Sequence, residues 1–210
     1  TMLISSRKKF IFIHIYKTAG TSMLAALWPH SAGKMQLLAT SALRRLRITP
    51  PFEPQCYPDH ITAAELVARI GRETFDKYFS FAIVRNPWDW QVSLYHFAVK
   101  HPAHGQHKLF KSFANFDTYV RWRCRLDVRQ QQQKDFICSA DGEQLVDFVG
   151  RLETIDRDFA TICSRIGIEA TLPTLNVSNT KPYRSFYNDE TAELVRKTFE
   201  TDIVHFGYEF

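Results

Sequence analysis

The fold is decided by the stretch Lys9-Phe-Ile-Phe-Ile-His-Ile-Tyr-Lys-Thr-Ala-Gly-Thr-Ser22, in which three local structures follow one another. Residues 9–15 form a continuous apolar and β-branched run, which is typical of a strand buried on both faces. Residues 16–20 break this pattern, and residues 21–28 start with hydroxyl side chains that suit a helix N-terminus. The stretch therefore predicts a buried strand, a tight turn and a helix.

The same arrangement recurs further along the chain. Residues 79–84 again resemble a buried strand, the strand ends at Arg85-Asn-Pro87, and residues 88–99 have helical apolar spacing. Alternating strands and helices of this kind favour a layered α/β fold. We expect a three-layer, P-loop-like fold in which helices flank a central parallel sheet.

Shorter patterns predict the remaining elements. Residues 62–70 predict a helix with Thr62 as its N-cap and Glu65 as the capping-box partner. Further predictions are a short helix at 37–46, a Pro-rich loop at 50–58, polar loops at 100–111 and 130–133, a third strand at 145–149, an amphipathic helix at 154–166 and a last helix at 189–199.

The composition is that of an ordinary globular protein. With 210 residues, 45% hydrophobic and 23% charged, we expect one domain that spans residues 1–210. The net charge of +5 favours anionic partners, but charge alone does not select among nucleotides, acidic glycans, nucleic acid and a membrane surface. The four scattered cysteines predict free thiols instead of a zinc or redox site. The oligomeric state is not determined by these features.

The N-terminal region has no segment that would direct export. Its longest apolar stretch, residues 10–15, has the length of a strand and is too short for a membrane span or a signal sequence. We therefore expect a cytoplasmic protein without a membrane span. A Golgi-lumenal domain whose N-terminal anchor has been removed is the alternative.

The turn Lys17-Thr-Ala-Gly-Thr-Ser22 has the features of an anion site. A turn between a buried strand and a helix presents backbone N–H groups and the positive end of the helix dipole. Gly20 allows close backbone approach, the hydroxyl groups add donors, and Lys17 adds a full positive charge. An ordinary capped turn with a solvated lysine is the alternative. A Walker A loop is disfavoured, because its lysine follows the second glycine whereas Lys17 precedes Gly20.

Two motifs of this sequence resemble those of a known family. The segment Phe12-Ile-His-Ile-Tyr-Lys-Thr-Ala-Gly-Thr-Ser22 resembles the 5′-phosphosulfate loop of the Golgi-type carbohydrate sulfotransferases and their bacterial relatives. The segment Phe81-Ala-Ile-Val-Arg-Asn-Pro-Trp-Asp-Trp-Gln-Val-Ser-Leu-Tyr95 is similar to the 3′-phosphate motif of that family. Arg85 and Ser93 stand at the positions that bind the 3′-phosphate in this motif, and an arginine fork can hold a phosphate bidentately.

The resemblance covers nearly the whole chain, because residues 146–153, 172–178 and 202–208 also look like segments of the family. The family usually has proline before the loop lysine and often has arginine five positions after the arginine of the second motif. This chain has Tyr16 and Trp90 at these positions. We expect Trp90 either to weaken the positive charge near the nucleotide or to pack in the core.

The resemblance implies a sulfotransferase with 3′-phosphoadenosine 5′-phosphosulfate (PAPS) as donor and adenosine 3′,5′-bisphosphate (PAP) as product. Such a transfer needs in-line geometry and charge stabilisation, and this scheme requires no metal. Lys17 would neutralise the charge that develops on the bridging oxygen. The resemblance assigns the donor site to Lys17, Thr18, Ala19, Gly20, Thr21 and Ser22 for the 5′-phosphate, to Arg85 and Ser93 for the 3′-phosphate, and to Lys181 and Arg184 in a late basic turn.

The acceptor hydroxyl needs a base, and an imidazole suits neutral pH. His60 is the candidate, since Asp59-His-Ile-Thr62 resembles the segment that carries the catalytic histidine in uronyl 2-O-sulfotransferases, with Asp59 in place of glycine. Glu53 is the reserve base, and a histidine that is merely satisfied near a helix cap is the other interpretation of His60. His14 is expected to be a buried strand residue. The polar loop contains three more histidines, His101, His104 and His107, for which acceptor contact and plain solvation both stay open and metal binding is not expected.

The acceptor is not identified by the residues alone. The resemblance favours a carbohydrate hydroxyl and the basic loops favour an anionic acceptor, whereas a lipid-linked sugar, a small metabolite and tyrosine stay open. We expect no nucleic-acid partner. Two other functions are open at this stage: a noncatalytic module that binds PAPS or sulfated ligands, and a P-loop nucleotide kinase, which should show a Walker-ordered lysine and magnesium carboxylates.

Overall fold

The computed structural model of the protein describes residues 2–31, 60–128, 131–175 and 181–210. The chain divides into two compact units, each made of two segments. The first unit contains Thr1–Val84 and Asp135–Leu175, and the second contains Arg85–Lys134 and Asn176–Phe210. That the whole chain is one domain stays a prediction. The helix predicted at 37–46 and the Pro-rich loop lie outside the described residues.

A mixed four-stranded sheet is the framework of the first unit. Its strands are β1 (Leu3–Ser5), β2 (Phe10–Ile13), β3 (Phe79–Val84) and β4 (Phe148–Arg151), in the spatial order β1-β2-β3-β4. β1 pairs antiparallel with β2, whereas β2, β3 and β4 run parallel to one another. The predicted α/β fold with a mainly parallel sheet is confirmed.

Helices alternate with the strands and then follow them. In chain order they are α1 (Gly20–Ser31), α2 (Ala63–Ile70), α3 (Arg72–Phe75), α4 (Pro87–Lys100), α5 (His107–Ser112), α6 (Phe116–Arg123), α7 (Ile155–Ile166), α8 (Asp189–Thr198) and α9 (Glu200–Phe206). The helices predicted at 62–70, 88–99, 154–166 and 189–199 correspond to α2, α4, α7 and α8. Within the described ranges, no helix combines the length and the apolar character that a membrane span requires.

The apolar runs of β2 and β3 place a layer of aromatic side chains on one face of the sheet. Phe10, Phe12 and Phe81 are fully buried on this face, and the ring centroids of Phe12 and Phe81 lie 5.5 Å apart. Buried side chains of α1 and α7 complete this core, namely Met23, Ala26, Leu27, Phe159, Ile162, Cys163 and Ile166. Full burial of a large apolar side chain contributes roughly 1.5–3 kcal/mol. The core therefore anchors α1, and with it the turn that leads from β2 into α1.

One strand prediction needs correction, and one strand is not predicted by the sequence. The third parallel strand is β4 instead of residues 145–149, because Asp147 bonds to Ser80 through both its side chain and its backbone and regular pairing follows it. The carboxylate of Asp147 accepts the N–H of Ser80 at 2.7 Å, and the parallel ladder starts only at Phe148. The sequence pattern does not predict β1, since a strand of 3 residues is too short to show a period.

The N-terminus of α2 has the predicted capping box. Oγ1 of Thr62 accepts the N–H of Glu65 at 3.1 Å, and the Glu65 carboxylate accepts the N–H of Thr62 at 2.9 Å. Such a cap contributes about 1 kcal/mol. The cap fixes the point at which the chain enters α2, two residues after His60.

The second unit is built around α4. Trp88 and Trp90 of this helix are buried, and Trp90 meets Phe199 edge to face with 6.0 Å between the ring centroids. Trp90 therefore packs in the core, which is one of the two outcomes that its replacement of the family arginine suggests. The buried Tyr119 donates its hydroxyl hydrogen to Gln91 at 2.8 Å, so the polar groups of α4 also contribute to the packing of this unit.

Candidate active site

The turn between β2 and α1 has an uncommon backbone conformation. Lys17 and Ala19 have φ values of 63° and 62°, in the left-handed region that residues other than glycine rarely adopt. A turn that alternates such residues with ordinary ones can direct successive backbone N–H groups into one concavity, which suits an anion. The turn leads into the N-terminus of α1, a helix of 12 residues. The geometry therefore fits the predicted anion site.

Side chains of the turn hold it in shape. The Thr18 hydroxyl donates to the carbonyl of Ile15 at 2.8 Å, and Thr18 is fully buried. Because this hydroxyl hydrogen is used inside the turn, a phosphate contact from Thr18 would come from its backbone N–H. Oγ of the buried Ser22 accepts the N–H of Leu175 at 3.3 Å, whereas Thr21 is exposed. Of the residues predicted to bind the sulfuryl donor, Thr18 and Ser22 are therefore buried and form bonds within the protein, whereas Thr21 is exposed.

His14 is not a strand residue, contrary to expectation. β2 ends at Ile13, and the half-buried His14 ring packs against the start of α1. A Cβ atom added to Gly20 would lie 1.7 Å from Nε2 of His14. Gly20 does not have a positive φ, so the close approach of the His14 ring, and not the backbone angle, is what requires glycine there.

His60 lies against the segment that leads into the turn. Its Nδ1 is 2.9 Å from the carbonyl oxygen of His14, and the centroids of the two imidazole rings are 4.6 Å apart. Tyr16 meets the His60 ring edge to face at 5.8 Å. Since a carbonyl oxygen only accepts, Nδ1 of His60 must carry a hydrogen, and Nε2 holds the lone pair when the ring is neutral. In the neutral ring, Nε2 is therefore the nitrogen of His60 that can accept a proton. The reserve base, Glu53, lies outside the described residues.

In the second unit, Arg85 directly follows the last residue of β3. Its Nε and one terminal nitrogen bind the two carboxylate oxygens of Asp89 at 2.9 Å and 2.8 Å. Asn86 caps α4 by accepting the N–H of Trp88 at 3.0 Å, and Pro87 occupies the first helical position, where no N–H is needed. Ser93 lies on the same helix and is buried. Asp89 is a site neighbour that the sequence patterns did not single out.

The late basic residues belong to the C-terminal part of this unit. Lys181 and Arg184 are exposed, and the Arg184 guanidinium lies over the rings of Phe210 and Tyr183 at 5.1 Å and 5.8 Å. Burial raises the pKa of the neighbouring Tyr187 well above its usual value, so its hydroxyl keeps the proton that it donates to Trp88. A contact of Lys181 or Arg184 with nucleotide stays a prediction.

The histidines of the segment predicted as a polar loop bond to the local backbone, and one of them, His107, is the first residue of α5. Nδ1 of His101 lies 2.8 Å from the carbonyl of Phe97, and Nδ1 of His107 lies 2.8 Å from the carbonyl of Ala98. His104 accepts the N–H of Gln106 at 3.2 Å. In the part of the chain that the structure describes, no group of three or more potential metal ligands comes together. Each of these bonds uses only one ring nitrogen, so acceptor contact and plain solvation both stay open for these histidines.

Two buried residues of the second unit, Gln133 and Asp202, were not singled out as site residues. Gln133 bonds to the backbone of Arg85, and Asp202 bonds to the backbone of Gln133 and Lys134. Gln133 ends a run of glutamines that suggested only a polar loop, and Asp202 begins a segment noted only for its resemblance. Neither sequence feature predicts which residue Gln133 or Asp202 bonds to, because each bonds to a residue far away in the sequence.

Comparison with solved structures shows the fold. The chain is similar to the mouse sulfotransferase SULT7A1, whose crystal structure is of a complex with PAP. The two chains have 13% sequence identity and a TM-score of 0.58, and the match covers 96% of this chain and 86% of that chain. At this level of identity, the likeness concerns the fold alone. No curated protein matches the sequence.

The family comparison shows more than the fold, because here a family model matches the sequence itself. The model of the sulfotransferase family matches residues 1–209. The match includes both strand ends, with the Lys17 turn and the Arg85 segment. This protein belongs to the sulfotransferase family.

Proposed function

We propose that the protein transfers a sulfuryl group from PAPS to a hydroxyl group of a carbohydrate. The observation that carries the proposal is the turn between β2 and α1. Two of its residues, Lys17 and Ala19, have left-handed backbone conformations, and the turn leads into a helix N-terminus. Strain of this kind persists where the surroundings enforce it, and it supports a role in binding the donor.

The donor site follows the two motifs. The proposed 5′-phosphosulfate residues are Lys17, Thr18, Ala19, Gly20, Thr21 and Ser22, and the proposed 3′-phosphate residues are Arg85 and Ser93, with Lys181 and Arg184 as further contacts. Membership of the sulfotransferase family supports PAPS as donor. The complex of the mouse relative with PAP is consistent with PAP as the product here.

The proposed reaction is an in-line displacement at sulfur. The acceptor oxygen forms a bond to sulfur while the bond between sulfur and the bridging oxygen breaks. The electron pair of the broken bond stays on the 5′-phosphate of PAP, and the acceptor proton passes to a base. Lys17 stabilises the charge that develops on the bridging oxygen, as fixed positive groups do in related group transfers.

His60 is the proposed base. The bond from its Nδ1 to the His14 carbonyl leaves Nε2 as the basic nitrogen of the neutral ring. The ring also contacts Tyr16, which directly precedes Lys17 in the sequence, and this contact keeps His60 near the turn. After transfer, His60 would release the proton to solvent.

The acceptor class rests on the resemblance to carbohydrate sulfotransferases, and the net charge of +5 favours an anionic acceptor without selecting its class. Incubation with labelled PAPS and three acceptors tests it: a uronic-acid-containing glycan, a neutral glycan and a tyrosine peptide. We expect most label on the first. Label on the peptide alone would remove the carbohydrate assignment. Tight PAP binding with no label on any acceptor would favour the noncatalytic binding module.

Ligand stabilisation tests the donor assignment. A ligand at 100 times its Kd stabilises the folded state by about 2.7 kcal/mol. We therefore expect PAP to raise the Tm clearly more than AMP or ATP at equal concentration. An equal or larger shift with ATP would contradict PAPS as donor and would support the nucleotide kinase.

His60→Ala tests the base. General-base catalysis contributes about 10²- to 10⁴-fold, so we expect kcat to fall by that range while the Kd for PAP stays within about twofold. His205→Ala is the matched control, since His205 is an exposed histidine of α9 with no proposed role in the site. Full activity of His60→Ala would move the base role to Glu53 or elsewhere.

A further inference from the structure

The buried side-chain amide of Gln133 binds both backbone groups of Arg85, its N–H and its carbonyl. Gln133 is fully buried, and its side-chain oxygen accepts the N–H of Arg85 at 2.9 Å. Its side-chain nitrogen donates to the carbonyl of Arg85 at 2.7 Å. One amide therefore satisfies both backbone groups of the residue that follows β3. This pairing fixes the direction in which the Arg85 side chain leaves the backbone.

Gln133 is itself held by a buried carboxylate. Asp202 of α9 is fully buried, and its two oxygens accept the N–H groups of Gln133 at 2.7 Å and Lys134 at 2.8 Å. A buried carboxylate is costly unless several donors satisfy it. Here the donors come from consecutive backbone positions, so the carboxylate determines where this segment lies. The chain of contacts runs from Asp202 through Gln133 to Arg85.

The Arg85 side chain is also oriented. Asp89 binds the guanidinium through both carboxylate oxygens, and the Arg85 side chain is only 13% exposed. An arginine with a fixed backbone and a fixed guanidinium loses little conformational entropy when it binds an anion. Preorganisation of this kind raises affinity without any new contact to the ligand.

We infer that Gln133 is a positioning residue for the 3′-phosphate of the donor nucleotide, acting through Arg85, and that Asp202 anchors Gln133. The inference rests on the proposed function, in which Arg85 binds that phosphate. Gln133→Leu removes both bonds to the Arg85 backbone with little change in volume. It should weaken recognition of the 3′-phosphate and leave the rest of nucleotide binding unchanged.

The experiment is calorimetric titration of the full chain with PAP and with AMP, which lacks the 3′-phosphate. The readout is the ratio of the AMP Kd to the PAP Kd. Loss of a residue that orients a metal ligand typically costs about 10- to 100-fold in affinity, and by analogy we expect Gln133→Leu to lower this ratio by about 10-fold. The Kd for AMP should stay within about twofold of the parent protein, which a general loss of structure would not allow.

Controls separate the steps. Gln132→Leu makes the same substitution one position earlier, where the side chain donates to the carbonyl of Thr198, and it should leave the ratio unchanged. Arg85→Ala should lower the ratio at least as far as Gln133→Leu. The double variant Arg85→Ala with Gln133→Leu should be no lower than Arg85→Ala alone, since Gln133 acts through Arg85.

Several results would overturn the inference. These are an unchanged ratio in Gln133→Leu, an equal loss of PAP and AMP affinity, or an additive loss in the double variant. If Gln133→Leu does not fold, Gln133→Met replaces it, because the flexible methionine side chain fills the space and also removes both bonds to Arg85. An unchanged ratio there also rejects the inference. An unchanged ratio in Arg85→Ala would instead reject the 3′-phosphate site of the proposed function.

Discussion

The ends of β2 and β3 carry the two motifs, and they are built in different ways. After β2, the chain turns through Lys17 and Ala19 in left-handed conformations, and the stabilising bond from Thr18 reaches back only three residues. After β3, the chain enters α4 almost at once. Arg85 is held by Gln133, which lies 48 positions away in the sequence.

The difference shows two ways to shape the backbone that follows a strand, each at a proposed anion site. At the first strand end, the left-handed residues and the Thr18 bond lie inside the turn, although His60 also contacts this segment from 46 positions away. Substitutions inside the turn should therefore have large and local effects. The second depends on side chains from distant segments, so residues that never touch a ligand should affect it. Three substitutions at the first strand end sharpen this contrast.

Lys17→Ala should have the largest effect. Loss of one preorganised charge at the reacting group typically lowers kcat by about 10²- to 10³-fold. We expect such a loss in steady-state turnover of PAPS, with a smaller change in the Kd for PAP. Lys77→Ala is the control, because Lys77 forms an exposed pair with Glu73. Turnover of Lys17→Ala equal to that of Lys77→Ala would mean that the turn does not act on the donor.

Gly20→Ala should have an intermediate effect, because the new Cβ would lie 1.7 Å from Nε2 of His14. Overpacking of this kind costs about 1–3 kcal/mol, measured as the free energy of unfolding in urea. In a His14→Ala background the cost should largely disappear, since the clashing ring is gone.

The same pair of backgrounds tests the role of glycine in binding. If phosphate approach, and not the His14 ring, required glycine at position 20, then Gly20→Ala would weaken PAP binding equally with and without His14. That outcome would mean that the His14 ring is not the reason for glycine at position 20.

Ala19→Gly should have the smallest effect. The left-handed conformation at φ 62° costs an alanine about 1–2 kcal/mol, and the greater freedom of glycine in the unfolded chain offsets part of the gain. We expect a net stabilisation of about 0.5 kcal/mol in urea unfolding, with PAP affinity retained. Destabilisation by this substitution would show that the turn is not strained at Ala19.

The local patterns predicted the elements that carry the motifs. The strand, turn and helix around Lys17 and the capping box of Thr62 and Glu65 follow from neighbouring residues, and the structure has them. The position of β4 was predicted three residues too early. Apolar periodicity reports burial, whereas the start of the ladder depends on Asp147, which bonds to Ser80 across the sheet through its side chain and its backbone.

The candidate site was predicted less completely. The residue types at Lys17, Arg85 and His60 suggested their roles, which stay proposals until the substitutions are measured. The prediction that His14 is a buried strand residue was wrong, because β2 ends at Ile13 and the His14 ring lies beside Gly20 at the start of α1. Gln133 and Asp202 have no local signal, since a polar residue of a loop or of a short helix is usually exposed to solvent.

The sequence by itself determined the alternation of strands and helices and the position of the turn at Lys17, whose role in anion binding stays a proposal. These features depend on residues within a few positions of one another, where hydrophobic period, capping and charge act directly. Only the tertiary structure decided that His60 lies on the His14 carbonyl, 46 positions away, and that Gln133 bonds to Arg85. Such contacts form when the packing of the core brings distant backbone groups together, and no local pattern specifies that outcome.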